Sequence, residues 1–205
     1  MDIYEVIKKR KTCRDWQNKD VPLDVVKKII EAGLKAPSNN HLREWEFILL
    51  HTPEEKAQAL QFTKEAVEQF LRENPLDSMP DQNIQLNMYK YALPRQYSML
   101  FNAPYVVIPL FKTPGLRAES VDQLNDFASI WCVIENIFLA ATAEGLGYSL
   151  SVPVGEEGKK VCQVLGVPKE YMMPAYIGIG YPDKNAPAIA QHTFTADEKI
   201  HFGKW

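Results

Sequence analysis

Arg10-Lys11-Thr12-Cys13-Arg14 sets two arginines, a lysine and a hydroxyl within five residues, just past a short helical stretch. Arginine offers planar paired donors and threonine adds a neutral one, so the set suits a phosphate. A second stretch, Ala36-Pro37-Ser38-Asn39-Asn40-His41, is a polar loop that leads into Trp45-Glu46-Phe47. One piece suits an anionic tail and the other a polar ring. A phosphorylated heterocyclic cofactor such as FMN needs both. Taken alone, the basic run reads as a solvated stretch at a helix end, as such runs usually are.

These residues need elements to position them. Asp2 caps a predicted helix through Lys9, and Pro22, with Asp20 just ahead, starts a second. Leu23, Val26, Ile30 and Leu34 recur at helical spacing before Pro37. Trp45 to Leu50 reads as a strand, and Pro53-Glu54-Glu55 opens a long helix to about Arg72. Residues 74–95 read as irregular, with Pro75, Pro80 and Pro94. A strand is expected over Pro104 to Phe111, and a central helix over Asn125 to about Glu144, ended by Gly145 and Gly147. Tyr148 to Val152 reads as a strand, Glu156 to Leu165 as a helix and Ala175 to Tyr181 as a strand. This order predicts an α+β fold with helices packed on a sheet, in one domain over residues 1–205.

Composition narrows the function classes. With 205 residues and 46% hydrophobic content, the chain can bury a sizeable core. A net charge of −3 gives no basic field for nucleic acid or an anionic membrane. Cys13, Cys132 and Cys162 are scattered, which argues against a disulfide framework or a metal site and favours a reducing cytoplasmic setting. The N-terminus lacks the apolar region of a signal peptide. The apolar stretch Phe127 to Leu146 is interrupted by Glu135, Asn136 and Glu144, and reads as a core helix rather than a membrane span.

The order of motifs resembles the nitroreductase family of FMN-dependent flavoproteins over nearly the whole chain. Arg10-Lys11-Thr12-Cys13-Arg14-Asp15-Trp16 is similar to that family's opening arginine-basic-serine-x-arginine-x-aromatic motif. Val21-Pro22, Ala36-Pro37-Ser38, Trp45-Glu46-Phe47 and Ala103-Pro104 follow in family order. So do Leu139-Ala140-Ala141, Gly145-Leu146-Gly147, Leu165 to Pro168 and Gly180-Tyr181-Pro182.

The resemblance implies a mostly antiparallel sheet flanked by helices, and a homodimer with FMN at the subunit interface. It assigns the phosphate and ribityl chain to Arg10, Lys11, Thr12 and Arg14, with Cys13 a small filler. It assigns Pro37, Ser38 and Asn39, from the other subunit, to cover the flavin. His41 stands where the family commonly has asparagine, and Arg43-Glu44 where it has glutamine-proline. Pro153, Val154 and Gly155 match the loop whose backbone N–H meets flavin N5. Arg95 and Gln96 are the candidates for the pyrimidine end. The family often places lysine or arginine in the C-terminal segment; here that segment reads Ala190-Gln191-His192-Thr193, which makes His192 a pH-dependent substitute.

The implied reaction is ping-pong hydride transfer from NADH or NADPH, through the flavin, to a small acceptor. That acceptor is a nitroaromatic, a quinone, an activated alkene or a halogenated phenol. No catalytic side chain is then required, because the chemistry lies at flavin N5. The alternative is a non-catalytic FMN-binding or sequestering protein of the same fold. Met79, Met88, Tyr89, Tyr91, Tyr97 and Met99 are read either as pocket lining or as packing.

Overall fold

The computed structural model describes residues 1–75, 84–187 and 193–205. Its centre is a sheet in the order β1-β2-β5-β3, with β4 pairing β2 off that path. The strands are β1 (Trp45–Leu50), β2 (Tyr105–Lys112), β3 (Gly147–Ser151), β4 (Tyr171–Met172) and β5 (Tyr176–Gly180). All four strand pairings are antiparallel. Seven of the eight residues of β2 are buried, as expected for a strand covered on both faces. Its side chains alternate between two cores. Tyr105, Val107 and Phe111 enter one, and Val106, Ile108 and Leu110 the other. Pro109 is tolerated because β5 pairs with Tyr105 to Val107 and β4 with Phe111 and Lys112, so the stretch between them makes no ladder on that edge.

The first core is roofed by α2 (Leu23–Gly33) and α6 (Asn125–Ala143), through Val26, Ile29, Ile130, Val133, Ile134 and Ile137. The second lies under α3 (Pro53–Glu73), α5 (Gln96–Phe101) and α7 (Glu157–Val164). The remaining helices are α1 (Ile3–Lys9) and α4 (Ile84–Ala92). Asp2 caps α1 by accepting from the Tyr4 and Glu5 amides, as its position predicts. Thr52 and Glu55 form a capping box at the start of α3.

Three expectations need correction. Residues 84–95 are not irregular: they form α4 and a 3-10 turn at Leu93–Arg95. Pro94 fits there because the first turn of a helix leaves N–H groups unpaired anyway. Pro22 lies one residue outside α2, as its N-cap. The apolar character of α6 predicts a partner surface over Trp131, Ile134 and Phe138, but Ile134 and Phe138 are buried in the chain's own core and only Trp131 of the three is half-buried. The helix is long and apolar enough to pass a membrane-span test by composition, but it packs along α2 as a core helix does. Met79, Ala190, Gln191 and His192 lie outside the described residues.

Candidate functional site

The basic strip lies against β3. Thr12 forms a parallel bridge with Tyr148, and the Cys13 amide donates to the Tyr148 carbonyl at 2.7 Å. Gly147 permits this approach, since a Cβ there would sit 2.8 Å from the Cys13 Cβ and 2.9 Å from the Pro182 Cγ. Arg10 donates to the Tyr148 hydroxyl and lies 3.6 Å from the Glu135 carboxylate on α6. Burial raises the Glu135 carboxyl above its ordinary value, against the pull of Arg10. Lys11 is exposed.

Arg14, like Arg10, is half-buried. Burial lowers its guanidinium from the ordinary value, and Tyr91, Cys13, Asp15 and Tyr148 act in the opposite direction. Its Nε is fully shielded yet has no hydrogen-bond partner among the described residues. The neighbouring Asp15 accepts from the Tyr91 hydroxyl and lies 3.6 Å from Arg95. Arg95 also stacks over the Tyr91 ring at 4.0 Å. This knot fastens α4 and the turn before α5 to the strip.

Beyond β3 the chain turns through Val152-Pro153-Val154-Gly155 into α7. Gly155 has φ +55°, and a Cβ there would meet nothing within 4 Å, so this backbone faces open space. Two cavities flank the loop. One of about 440 Å³ is lined by Gln96, Ser151, Val152, Val154, Thr63 and Phe70, among others. The other, about 510 Å³, touches Pro153, Gly155, Cys162 and Met172. Of the two pyrimidine-end candidates, Gln96 therefore reaches the loop's cavity. Arg95 is committed to Asp15 and Tyr91.

Pro37, Ser38, Asn39 and His41 lie elsewhere in the same chain. The Asn39 amide donates to Ser129 Oγ at 2.9 Å and its side chain to Asp126 at 3.2 Å, at the start of α6. Asn40, His41 and Arg43 adopt left-handed φ of 50°, 57° and 50°. Glu135, the partner of Arg10, is six residues beyond Ser129 on α6. That is about 9 Å of helix rise. No described cavity is shared by the strip and this loop. A larger cleft of about 880 Å³ is lined by Arg14 and Asp15 together with His51, Lys56, Arg95 and Asp183.

Residues 7–181 match the sequence model of the Nitroreductase family. The chain belongs to the nitroreductase family. It is 26% identical over 188 residues to iodotyrosine deiodinase of Nematostella vectensis, covering 90% of this chain and 69% of that protein. The crystal structure of an oxidized iodotyrosine deiodinase bound to FMN and 3-iodo-L-tyrosine superposes with a TM-score of 0.77 at 18% identity, over 100% of both chains. A variant of an FMN and NADPH-dependent nitroreductase from Sphigopyxis sp. strain HMH gives 0.72 at 18% identity, again over 100% of both chains.

In this nitroreductase-family chain the sequence reading missed Tyr148, Asp15 and Glu157 at the site. Tyr148 looks like any strand aromatic. Asp15 reads only as a spacer within the motif. Glu157, in the first turn of α7, looks like an acid favoured by the helix dipole. It is instead 7% exposed and holds the loop.

Proposed function

We propose that residues 1–205 form one FMN-binding domain of an FMN-dependent oxidoreductase that uses NADH or NADPH to reduce small acceptors. The observation that carries this reading is Arg14 Nε, shielded from solvent and without a partner among the described residues. A buried donor left unpaired is costly, and an acceptor on a bound anion or polar ring removes that cost. The residues that the family pattern assigns to the cofactor fit FMN. Arg10, Lys11 and Thr12 supply charge and donors for a phosphate on the strip, Gln96 supplies an amide, and the loop from Pro153 to Gly155 offers backbone to a ring. Bound FMN would supply two-electron hydride transfer at N5.

The chain's own residues bind, orient and exclude water. Arg14 and Arg95 place positive charge on one side of the site, which favours a reduced, anionic ring electrostatically. Pro37, Ser38, Asn39 and His41, separated from the strip within one chain, would be supplied by a second copy in a homodimer. The acceptor lies in the cavity beside Val152, Val154 and Phe70, whose lining is mostly apolar. Nitroaromatics, quinones, activated alkenes and halogenated phenols all fit that chemistry. The halogenated phenols are also the class of the ligand in the deiodinase crystal structure.

The test has two stages. FMN and riboflavin are titrated against the protein, and FMN is expected to bind far more tightly; equal affinities would remove the phosphate role of the strip. NADH or NADPH is then added anaerobically to the FMN-loaded protein. Rapid bleaching, followed by recovery of the yellow colour on adding 3-iodotyrosine, a quinone or a nitroaromatic, is expected. A bound flavin that stays oxidised would instead establish the non-catalytic FMN-binding protein.

A further inference from the structure

Glu157 is a buried acid beside the 152–156 turn. It is 7% exposed, while Val152, Val154, Gly155 and Glu156 just before it are exposed. Three donors from three parts of the fold converge on its carboxylate. Thr63 of α3 donates its hydroxyl to Oε1, the Tyr176 hydroxyl of β5 donates to the same oxygen at 2.9 Å, and the Val154 amide donates to Oε2 at 3.0 Å. The Glu157 amide returns a bond to the Val154 carbonyl at 3.0 Å, so the turn around Gly155 is closed from both sides. An ionised carboxylate only accepts, and this one is surrounded by donors.

Packing alone does not call for an acid here. Moving a carboxylate out of water costs free energy that an apolar side chain of the same size would not. What the acid adds is direction. It holds the amide of Val154, and hence the plane of the turn that carries Gly155, in fixed register with α3 and β5. Thr63 and Glu157 also line the cavity beside the loop, so the same bonds set one wall of it.

The geometry points to Glu157 as a positioning residue: its carboxylate brackets the 152–156 turn to α3 and β5, presents the Gly155 backbone to the flavin ring, and keeps one negative charge beside that ring. This rests on the FMN reading above. The bracket disfavours the reduced, anionic ring electrostatically, and so acts against Arg14 and Arg95 in setting the flavin's potential.

Two variants of the full-length chain separate geometry from charge. Glu157→Met keeps the volume and removes the acceptors. Hydrogen exchange of peptides covering 152–156, with and without added FMN, is expected to speed up about ten- to a hundredfold, the equivalent of losing hydrogen bonds to a charged group. Glu157→Gln keeps most of the bonds and removes the charge. The midpoint potential of its bound FMN is expected to move to more positive values. A purely structural acid would not shift the potential in Glu157→Gln. Should Glu157→Met fail to fold, Thr63→Val and Tyr176→Phe each remove one donor, and each is expected to raise exchange in the same peptides. Unchanged exchange in these variants overturns the bracket, and an unchanged potential in Glu157→Gln overturns the electrostatic role. Failure of the unsubstituted protein to bind FMN overturns the flavin reading itself and with it any role toward the ring. The exchange measured without FMN still decides the bracket in that case.

Discussion

Arg14 combines a partly buried cation with a shielded donor that has no acceptor among the described residues. A solvated surface arginine shows neither feature. Replacing it with alanine removes a charged donor set from the proposed cofactor site. The expected cost is about 1.5–3 kcal/mol of binding, the range for hydrogen bonds to charged groups, or roughly ten- to a hundredfold in FMN affinity. Flavin fluorescence titration measures it, and an affinity unchanged within error would remove Arg14 from the site. Lysine is not an adequate substitute, because its point charge cannot reproduce the donor at Nε. The motif announces Arg14 in the sequence. Its burial does not appear there, because Tyr91 and Tyr148, two of the groups acting on it, come from distant positions.

At the level of elements, the strip keeps its place because β3 presents a glycine to it. Gly147→Ala would set a Cβ within 3 Å of Cys13 and Pro182, neither of which ends in a flexible chain. The strip must then lift from β3. A stability loss of about 1–3 kcal/mol is expected from such overpacking, together with weaker FMN binding, checked by urea unfolding and by titration. The capping box of α3 offers an independent prediction about pH. The amides of His51 and Thr52 hold the Glu55 carboxyl below its ordinary value of 4.5. A depressed carboxyl stabilises the fold fully above the ordinary value, and that contribution is lost as pH falls through the depressed one. Glu55→Gln should therefore lose less stability than the original protein on going from pH 6 to about pH 3. Parallel acid titrations of the two, giving identical curves, would refute the assignment. Thr52→Ala should cost about 1 kcal/mol at neutral pH.

Across the whole molecule, the strip and the Pro37–His41 loop lie at different stations along α6, and apolar side chains remain uncovered near that helix. Ile3, Tyr4 and Ile7 of α1 are 55%, 81% and 52% exposed, and α1 packs on α6. Leu34 and Leu42 flank the loop and are exposed. Apolar groups gathered this way suit a second copy, with an interface of the usual ~1,200–2,000 Å² or more. Sedimentation at micromolar concentration should show a dimer. Tyr4→Asp combined with Ile7→Asp should shift it toward monomer and weaken FMN binding together. A well-folded monomer that binds FMN at full affinity would contradict a site shared between subunits.

The sequence by itself determined the elements and the family. The cap at Asp2, the Pro53-Glu54-Glu55 start of α3, the helical spacing of Leu23 to Leu34 and the apolar run of β2 are local signals, and the ordered motifs from Arg10 to Pro182 carry the resemblance. It also separated the basic strip from the Pro37–His41 loop as two distinct pieces. It misread 84–95, where Pro94 and polar residues looked like a loop although the chain packs there as helix. Only the tertiary structure decided that Gln96 rather than Arg95 reaches the loop's cavity, that Arg10 is held by Tyr148, and that Glu157 is buried. Each of these depends on partners 19 to 138 residues away. A residue's type and immediate neighbours specify what it can bond. Which donor it meets, and whether water competes, is fixed only when distant elements pack together.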